Sequence, residues 1–231
     1  MKTLAIIPAY NEVESIASVI DELRNDVPGT DFVVINDGSR DETAAICRAK
    51  GVKLIDLPVN LGLTGAVQTG MRYAYQHGYD AAVQIDADGQ HVPKYIPRLA
   101  EKMQNEGLDI VIGSRFVTEK RPFTIRMIAN TVLDYAIRMT TGKRMSDPTS
   151  GMRMYGKRVL GIMANDINAS PEPDTVAYLM RCGARVEDMQ VTMRERMAGE
   201  SYLNAWKSIK YMMRMCLNIC FVQWFRERRR L

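Results

Sequence analysis

The sequence predicts an α/β protein with a mainly parallel β-sheet flanked by helices on both faces. Short apolar runs alternate with segments of helical periodicity through the first half of the 231 residues. Most of these runs end in a polar or acidic loop. Hydrophobic residues make up 46% of the chain and charged residues 25%, which suffices for a buried core without disulfides.

Each predicted strand of the first half is a short apolar run between polar residues: 4–7, 32–35, 52–55, 81–85 and 109–113. We expect the first strand to stop at Pro8, because proline cannot donate to a sheet ladder. Apolar residues spaced three and four apart predict helices over 13–23, 41–50, 63–75 and 93–105. Asp41 or Ser39 is the expected cap of the second helix.

The second half is less regular. Helical spacing covers residues 124–140, a loop follows over 146–151, and the acids of 170–174 indicate the start of another helix. Alternating apolar and polar residues predict a strand over 186–193. We predict a catalytic domain over residues 1–202 and a separate C-terminal amphipathic helix with a basic tail over 203–231.

Charge and cysteine content exclude several classes. Lys and Arg number 31 and Asp and Glu 27, and residues 226–230 alone supply +3 of the net charge of +4. The rest of the chain is almost neutral, so nucleic acid is not an expected partner. The four cysteines lack metal-site spacing and suit a reducing, cytoplasmic compartment. We find no signal peptide and no run of about 20 apolar residues.

The loop after the fourth predicted strand carries the sharpest chemical signal. Asp86 and Asp88 form an Asp-x-Asp pattern, and Gln90 adds a carbonyl oxygen. Two carboxylates and an amide oxygen suit Mg²⁺ or Mn²⁺, which takes its remaining ligands from phosphates and water. The alternative is an ordinary turn built from Asp and Gly.

Asp37 follows the second predicted strand and therefore lies at the same edge of the sheet. Its carboxylate can accept from a base N–H, of uracil or of guanine, or from a ribose hydroxyl. Its alternative role is to cap the next helix. The chain contains neither Gly-x-Gly-x-x-Gly nor a P-loop, so a metal rather than a glycine cradle is expected to hold a diphosphate.

Several motifs resemble family 2 glycosyltransferases with the GT-A fold: residues 7–12, 35–39, 60–62 and 86–90. Three later motifs narrow the resemblance to the dolichyl-phosphate mannose synthase branch, which makes polyprenyl-phosphate sugars: residues 113–115, 147–153 and 196–201. Asn36, Met152, Asn130 and Tyr202 depart from the residues common in that branch.

The resemblance implies roles for individual residues. The expected nucleotide-sugar contacts are Pro8, Ala9, Tyr10, Glu12, Ile35, Asp37, Asp86, Ala87, Asp88 and Arg115. The expected metal ligands are Asp86, Asp88 and Gln90. The expected catalytic residues are Asp88, Arg115, Arg126 and Arg196, the arginines through contacts with phosphate.

The predicted function is therefore a metal-dependent, inverting transfer of a sugar from a nucleotide sugar, with UDP favoured, to undecaprenyl or another polyprenyl phosphate. A phosphate acceptor is already ionised and needs no general base. One alternative is transfer to a hydroxyl in polysaccharide, cell-wall or glycolipid synthesis, with Glu172 or Asp174 as base. The other is a non-catalytic, membrane-associated module that binds nucleotide sugars.

The segment over residues 203–230 bears on location. Basic and apolar faces predict contact with an anionic membrane surface, peripheral at the inner face of the cell membrane. Many members of the branch carry transmembrane helices and this sequence has none, which leaves room for a small membrane-protein subunit as partner. The alternative is a helix packed on the core with a solvated tail.

Overall fold

The computed structural model describes residues 1–122, 124–196 and 205–226, and only the backbone of 125–126 and 205–209. Its centre is a sheet with strand order β3-β2-β1-β4-β6-β5-β7. The strands are β1 (Thr3–Ala9), β2 (Asp31–Asn36), β3 (Leu54–Asp56), β4 (Ala81–Gln84), β5 (Ile110–Ser114), β6 (Arg153–Gly156) and β7 (Val186–Gln190). Only β6 runs antiparallel to its neighbours, β4 and β5. The predicted mainly parallel α/β sheet is confirmed.

Helices cover both faces of the sheet. They are α1 (Ile16–Asp26), α2 (Thr43–Ala49), α3 (Gly62–Gln76), α4 (Ile96–Glu106), α5 (Ile125–Thr141), α6 (Lys157–Asn165), α7 (Pro173–Arg181) and α8 (Ala205–Cys220). Short 3₁₀ turns at Pro93–Tyr95 and Val222–Trp224 precede α4 and follow α8.

Alternate residues of the strands enter two separate apolar clusters. Leu4 and Ile6 of β1 face the cluster that includes α3 and the C-terminal helices, while Ala5 and Ile7 face the one that includes α1 and α4. All four side chains are buried. Because both faces of the strand are covered, β1 is a continuous apolar run, as parallel strands usually are.

The first strand continues past Pro8 to Ala9, contrary to expectation. Pro8 pairs with Ile35 of β2, but β4 ends opposite Ile6. Proline is tolerated where the ladder on one side has already ended, because the missing N–H has no partner to lose. The longer strand carries the residues after Pro8 directly to the carboxyl edge of the sheet.

Other boundaries shift, and two elements had no sequence prediction. The predicted helix 13–23 begins at Ile16, strand 52–55 spans Leu54–Asp56, and strand 186–193 ends at Gln190. Strand β6 was missed because it has four residues, all buried, and begins with a charged arginine. Helix α6 follows it without a loop.

Helix α8 packs on the body of the protein. Met212, Met215 and Ile219 are buried in the same cluster as α5 and α7. Among the described helices, none is long and apolar enough to cross a bilayer. The proposed boundary between residues 202 and 203 lies outside the described residues, so the division into two domains stays a prediction.

Candidate active site

A cleft of about 450 Å³ opens at the carboxyl ends of β1, β2 and β4. Eight of the ten residues predicted to contact a nucleotide sugar line this cleft: Pro8, Ala9, Tyr10, Glu12, Asp37, Asp86, Ala87 and Asp88. Arg196, which was predicted as a catalytic residue, lines it as well. This is the edge where parallel α/β sheets bind ligands, beyond the strand ends.

The loop after β1 is fixed by an asparagine in the left-handed region. Asn11 has φ of 55°, which asparagine tolerates better than most residues. Its amide donates to Ser39 Oγ at 2.9 Å, and its side-chain oxygen accepts from the Arg40 amide at 2.8 Å. These bonds tie the first loop to the second, so the walls of the cleft are set by the fold.

Glu12 lies in the cleft behind this loop. Ser15 Oγ donates to its Oε2 at 2.7 Å, and its amide donates to Thr43 Oγ1 at 2.9 Å. Burial raises the pKa of the Glu12 carboxyl above its ordinary value, and the nearby carboxylates of Asp88 and Asp86 raise it further. Three acids around one cleft need positive charge, which a metal or Arg196 can supply.

Asp37 is oriented across the cleft rather than toward the next helix. Its Oδ1 accepts from the Leu61 amide at 2.7 Å, and its own amide donates to the Ala9 carbonyl at 2.8 Å. Asp41, not Asp37, accepts from the amide of Thr43 at the start of α2. The capping alternative for Asp37 is therefore wrong. Glu42 is the N-cap residue of α2 and makes no side-chain cap bond, so Asp41 bonds the first turn from one residue further back and is not the predicted cap itself.

Asp88 is nearly buried and already bears a counter-charge. Its Oδ1 accepts from the Gln90 amide at 3.0 Å, and its Oδ2 lies 3.0 Å from Arg196 Nη2. Arg196 thus reaches the cleft from the segment after β7. Asp86 and Asp88 lie together in the cleft, and the long, positively charged side chain of Arg196 lies beside them. This arrangement suits a site where the charge on a diphosphate is neutralised.

The oxygen atoms at this site fit a divalent cation that takes some of its ligands from the protein and the rest from a bound substrate. Asp86 and Asp88 offer carboxylate oxygens to the cleft. Within the described residues, no three His, Cys, Asp or Glu side chains gather as a complete metal cage. Mg²⁺ and Mn²⁺ are commonly held by one or two carboxylates plus phosphates and water, which agrees with this arrangement.

Some predicted residues do not line the cleft. Ile35 is wholly buried in the core. Gln90 lies beside the cleft, where its Nε2 donates to the Arg194 carbonyl at 3.4 Å. Arg126 is in the first turn of α5, and its side chain is outside the described part of the chain. The roles of these residues stay predictions.

Arg115 lies after β5, in a forked pair with Asp147. Its Nε and Nη2 donate to the two oxygens of Asp147 at 2.7 and 3.0 Å. Asp147 is fully buried and also accepts from Asn130 Nδ2 at 3.3 Å. Gln190 Nε2 donates to the Arg115 carbonyl at 2.9 Å. The guanidinium is therefore held in one plane by these contacts, and Arg115 does not line the cleft.

Sequence reasoning missed part of the cleft wall and one structural arginine. Asn60, Gly62, Leu63 and Ala66 also line the cleft. The motif at residues 60–62 and helical spacing beyond it could have indicated them. Arg153 is buried and donates to the carbonyls of Pro171 and Pro148 at 2.7 and 2.5 Å. It thereby joins two loops that the sequence left unconnected.

The two acids considered as a general base face α8. Glu172 Oε1 lies 3.3 Å from Arg214 Nη2, and Asp174 Oδ2 accepts from Asn218 Nδ2 at 3.0 Å. Burial raises the pKa of the Glu172 carboxyl, and Arg214 opposes the shift. Helix α7 begins at Pro173, so the predicted helix start is confirmed. Neither acid lines the cleft.

Exposed apolar residues mark the outer surface of α5 and α8. On α5 they recur at helical spacing: Ile128, Val132, Tyr135 and Met139. On α8 and the turn after it they are Met213, Leu217, Phe221, Val222, Trp224 and Phe225. The two helices pack side by side. We call these ten residues the apolar helix surface.

The mainly parallel sheet and the acidic cleft at its carboxyl edge, with Arg196 paired to Asp88, are typical of enzymes that use nucleotide substrates. Residues 4–161 match the model of Glycosyl transferase family 2, and the chain belongs to that family. It is a glycosyltransferase, and the resemblance seen in its motifs is confirmed.

Two named relatives are similar to most of this chain. The undecaprenyl-phosphate mannosyltransferase of Micrococcus luteus is 35% identical over 217 residues, 88% of this chain and 88% of the relative. The polyprenol monophosphomannose synthase of Mycolicibacterium smegmatis is 28% identical over 219 residues, covering 88% of this chain and 81% of the relative.

A solved structure shares the fold. Glucosyl-3-phosphoglycerate synthase from Mycobacterium tuberculosis, in complex with Mn²⁺, UDP-glucose and phosphoglyceric acid, superposes with a TM-score of 0.69 at 19% identity. The match covers 95% of this chain and 79% of that one. The GT-A fold predicted from the sequence is thereby confirmed.

Proposed function

We propose that the protein transfers a sugar, with inversion, from a nucleotide sugar to polyprenyl phosphate. The observation that carries this proposal is the cleft in which Asp86, Asp88 and Arg196 meet the nucleotide-binding loops. The names of the relatives from Micrococcus luteus and Mycolicibacterium smegmatis support a polyprenyl phosphate acceptor. A UDP-sugar is the favoured donor, and a GDP-sugar is the competing one, since the Asp37 carboxylate can accept from either base.

Asp37, Leu63 and Ala66 line the cleft, and we expect the base of the donor to lie against them. Asp86 and Asp88, with Gln90 beside them, would hold Mg²⁺ or Mn²⁺. When bound, that cation neutralises the charge that develops on the departing diphosphate. A solved structural neighbour that holds both Mn²⁺ and UDP-glucose supports a divalent cation in this fold. Arg196 supplies a second positive charge in the cleft, where it pairs with Asp88.

The acceptor needs positioning rather than deprotonation. A phosphate monoester has a second pKa near 6, so its oxygen is nucleophilic at neutral pH without a base. Arg115 offers a guanidinium already fixed by Asp147, and Arg126 begins the helix that carries Asn130 to the same aspartate. Holding the phosphate in line with the sugar carbon is the main task left to these residues.

The hydroxyl-acceptor alternative requires a general base. Its candidates, Glu172 and Asp174, have oxygens engaged by Arg214 and Asn218 of α8. These contacts favour a structural role, in which the acids fasten α8 to α7. If Glu172→Gln and Asp174→Asn keep full turnover, the alternative loses both of its bases.

The acceptor lipid implies a membrane, and the apolar helix surface suits its interface. Val132 and Leu217 are about half exposed, at 54% and 55%. Such a surface is larger than isolated apolar residues and marks an interaction site. Lys210 is exposed on α8 and Arg138 on α5, so their charges fit anionic headgroups. We therefore place the enzyme peripherally, at the inner face of the cell membrane.

The reaction is tested with purified protein, Mn²⁺ or Mg²⁺, labelled UDP- and GDP-sugars, and undecaprenyl phosphate. Metal-dependent label in the organic phase, lost in Asp88→Ala, is expected and identifies the donor. Asp21→Asn, which changes an exposed ion pair with Lys50, is the matched control and keeps activity. Donor binding without lipid label would favour the hydroxyl acceptor, and tight binding with no turnover on any acceptor would favour the non-catalytic module.

Membrane contact is tested by flotation with vesicles of phosphatidylglycerol and phosphatidylcholine. Val132→Ser and Leu217→Ser are each expected to reduce binding severalfold. Val59→Ser removes an equally exposed residue, at 58%, from a loop outside the apolar helix surface and serves as control. Equal binding by all three variants would overturn the membrane assignment and leave a membrane-protein subunit as the occupant of this surface.

A further inference from the structure

Two buried polar side chains that do not line the cleft converge on Asp86. Gln84, the last residue of β4, donates from Nε2 to Asp86 Oδ1 at 2.7 Å. His91 lies five residues after Asp86 in the following loop, and its Nδ1 accepts a hydrogen bond from the Asp86 amide at 3.0 Å. Gln84 is 2% exposed and His91 4%. Neither lines the cleft, whereas Asp86 does.

The bond to His91 determines which edge of the ring faces the carboxylate. Because Nδ1 accepts a hydrogen bond, the proton of the neutral imidazole is on Nε2. That nitrogen lies 3.6 Å from Asp86 Oδ2. The distance exceeds a hydrogen bond, so the N–H dipole and the ring edge limit where Oδ2 can go. One carboxylate oxygen is thus bonded and the other is confined.

Gly151 closes the third side. A Cβ built on this residue would lie 2.9 Å from Asp86 Oδ2, 3.1 Å from His91 Cε1 and 3.3 Å from Gln84 Nε2. The φ of Gly151 is outside the left-handed region, so the backbone does not itself demand glycine. A side chain at this position would have to displace the Asp86 carboxylate. The loop that carries Asp147 therefore also bounds the metal-binding carboxylate.

We propose that Gln84 and His91 are positioning residues that fix the Asp86 carboxylate for a divalent cation bound with the nucleotide diphosphate, and that Gly151 provides the space this carboxylate occupies. The inference rests on the proposed role of Asp86 in the donor site. Partners that orient a metal ligand typically affect metal affinity by about 10–100-fold when removed.

The variants separate orientation of the carboxylate from support of the loop. His91→Asn keeps an acceptor near Nδ1, able to bond the Asp86 amide, and removes the Nε2 edge. Gly151→Ala keeps every polar group and adds only a methyl. Gln84→Leu removes the donor at nearly constant volume. Gly29→Ala is the matched control, because a Cβ there meets nothing within 4 Å.

The measurement is Mn²⁺ affinity by electron paramagnetic resonance, with and without UDP or GDP, on protein whose unfolding midpoint is recorded in parallel. We expect about 10–100-fold weaker Mn²⁺ binding in His91→Asn, Gln84→Leu and Gly151→Ala, and no change in Gly29→Ala. The unfolding midpoint of at least Gly151→Ala should stay close to that of Gly29→Ala.

Two failures can be told apart. If wild-type protein binds Mn²⁺ with nucleotide and all three variants bind it equally well, the positioning role is wrong while the proposed function stands. If wild-type protein binds no Mn²⁺ with either nucleotide, the proposed donor site itself is wrong. Loss of affinity that tracks loss of the folded state in every variant would reduce Gln84 and His91 to structural residues and overturn the inference.

Discussion

The region around β1 to β4 is proposed to bind the donor and is called the donor side, and the region after β5 is proposed to bind the acceptor and is called the acceptor side. The two sides differ in the bonds that hold their residues. In the donor side, several anchoring bonds use a backbone amide: the Leu61 amide donates to Asp37, and the Asn11 amide donates to Ser39 Oγ. The ion pair between Asp88 and Arg196 is an exception. In the acceptor side, residues after β5, charged side chains from distant segments pair with one another. Arg115 with Asp147 and Glu172 with Arg214 are examples.

This difference has a consequence for stability. A backbone amide that loses a side-chain acceptor can often reach water at a loop, whereas a buried charge that loses its partner cannot. Asp147 is fully buried among Arg115, Asn130 and Thr149. We therefore expect single changes to be more damaging in the acceptor side than in the donor side.

The largest effect is expected at Asp147. Replacing its partner Arg115 by alanine leaves the fully buried Asp147 charge without its forked partner, and breaking a buried ion pair in this way costs about 3–5 kcal/mol. Asp37→Ala removes only the acceptor of the Leu61 amide and should cost about 1–3 kcal/mol. Urea unfolding of the two variants compares them directly. Equal costs would contradict the contrast between the two sides.

A second comparison lies within α8, between its two faces. Met215 is fully buried and Met213 is 62% exposed. Met215→Ala should lower the free energy of unfolding by about 2–5 kcal/mol, because it leaves a cavity. Met213→Ala should change it by less than about 0.5 kcal/mol. If thermal unfolding shows both variants unaffected, α8 is not part of the folded body in solution.

The same contrast explains what the sequence could predict. The cleft residues of the donor side follow short apolar strands and lie in local motifs. Asp37, Asp86 and Asp88 could therefore be placed at one edge of the sheet, because the carboxyl ends of parallel strands lie at the same edge. Leu63 and Ala66 lie at the start of the helix predicted over residues 63–75, and what the prediction lacked was the assignment of that end to the cleft.

The acceptor side could not be assembled in this way. Its contacts join residues far apart in sequence, such as Asp147 with Arg115 and Asp174 with Asn218. Strand β6 has four residues, all buried, and begins with Arg153. A charged residue is not typical of a buried strand, so the sequence pattern did not indicate this one. Bonds of this kind are set by tertiary packing and leave no periodic pattern in the chain.

The smallest effect is expected at Glu12. It tests whether a buried acid in the cleft lowers the stability of the folded protein. Burial raises the pKa of this carboxyl above its ordinary value of 4.5, so the folded state holds its proton more tightly than the unfolded state. Stability from this group therefore falls as pH rises from the unfolded pKa through the folded one, and the loss is complete above both.

Glu12→Gln keeps an oxygen for Ser15 and carries no charge to bury. It should raise the unfolding midpoint at pH 8, and the gain should disappear near pH 4, where the wild-type carboxyl is protonated in both states. A gain that is the same at the two pH values would show that charge is not its cause. Weaker nucleotide binding by the same variant would show that the acid serves the donor site.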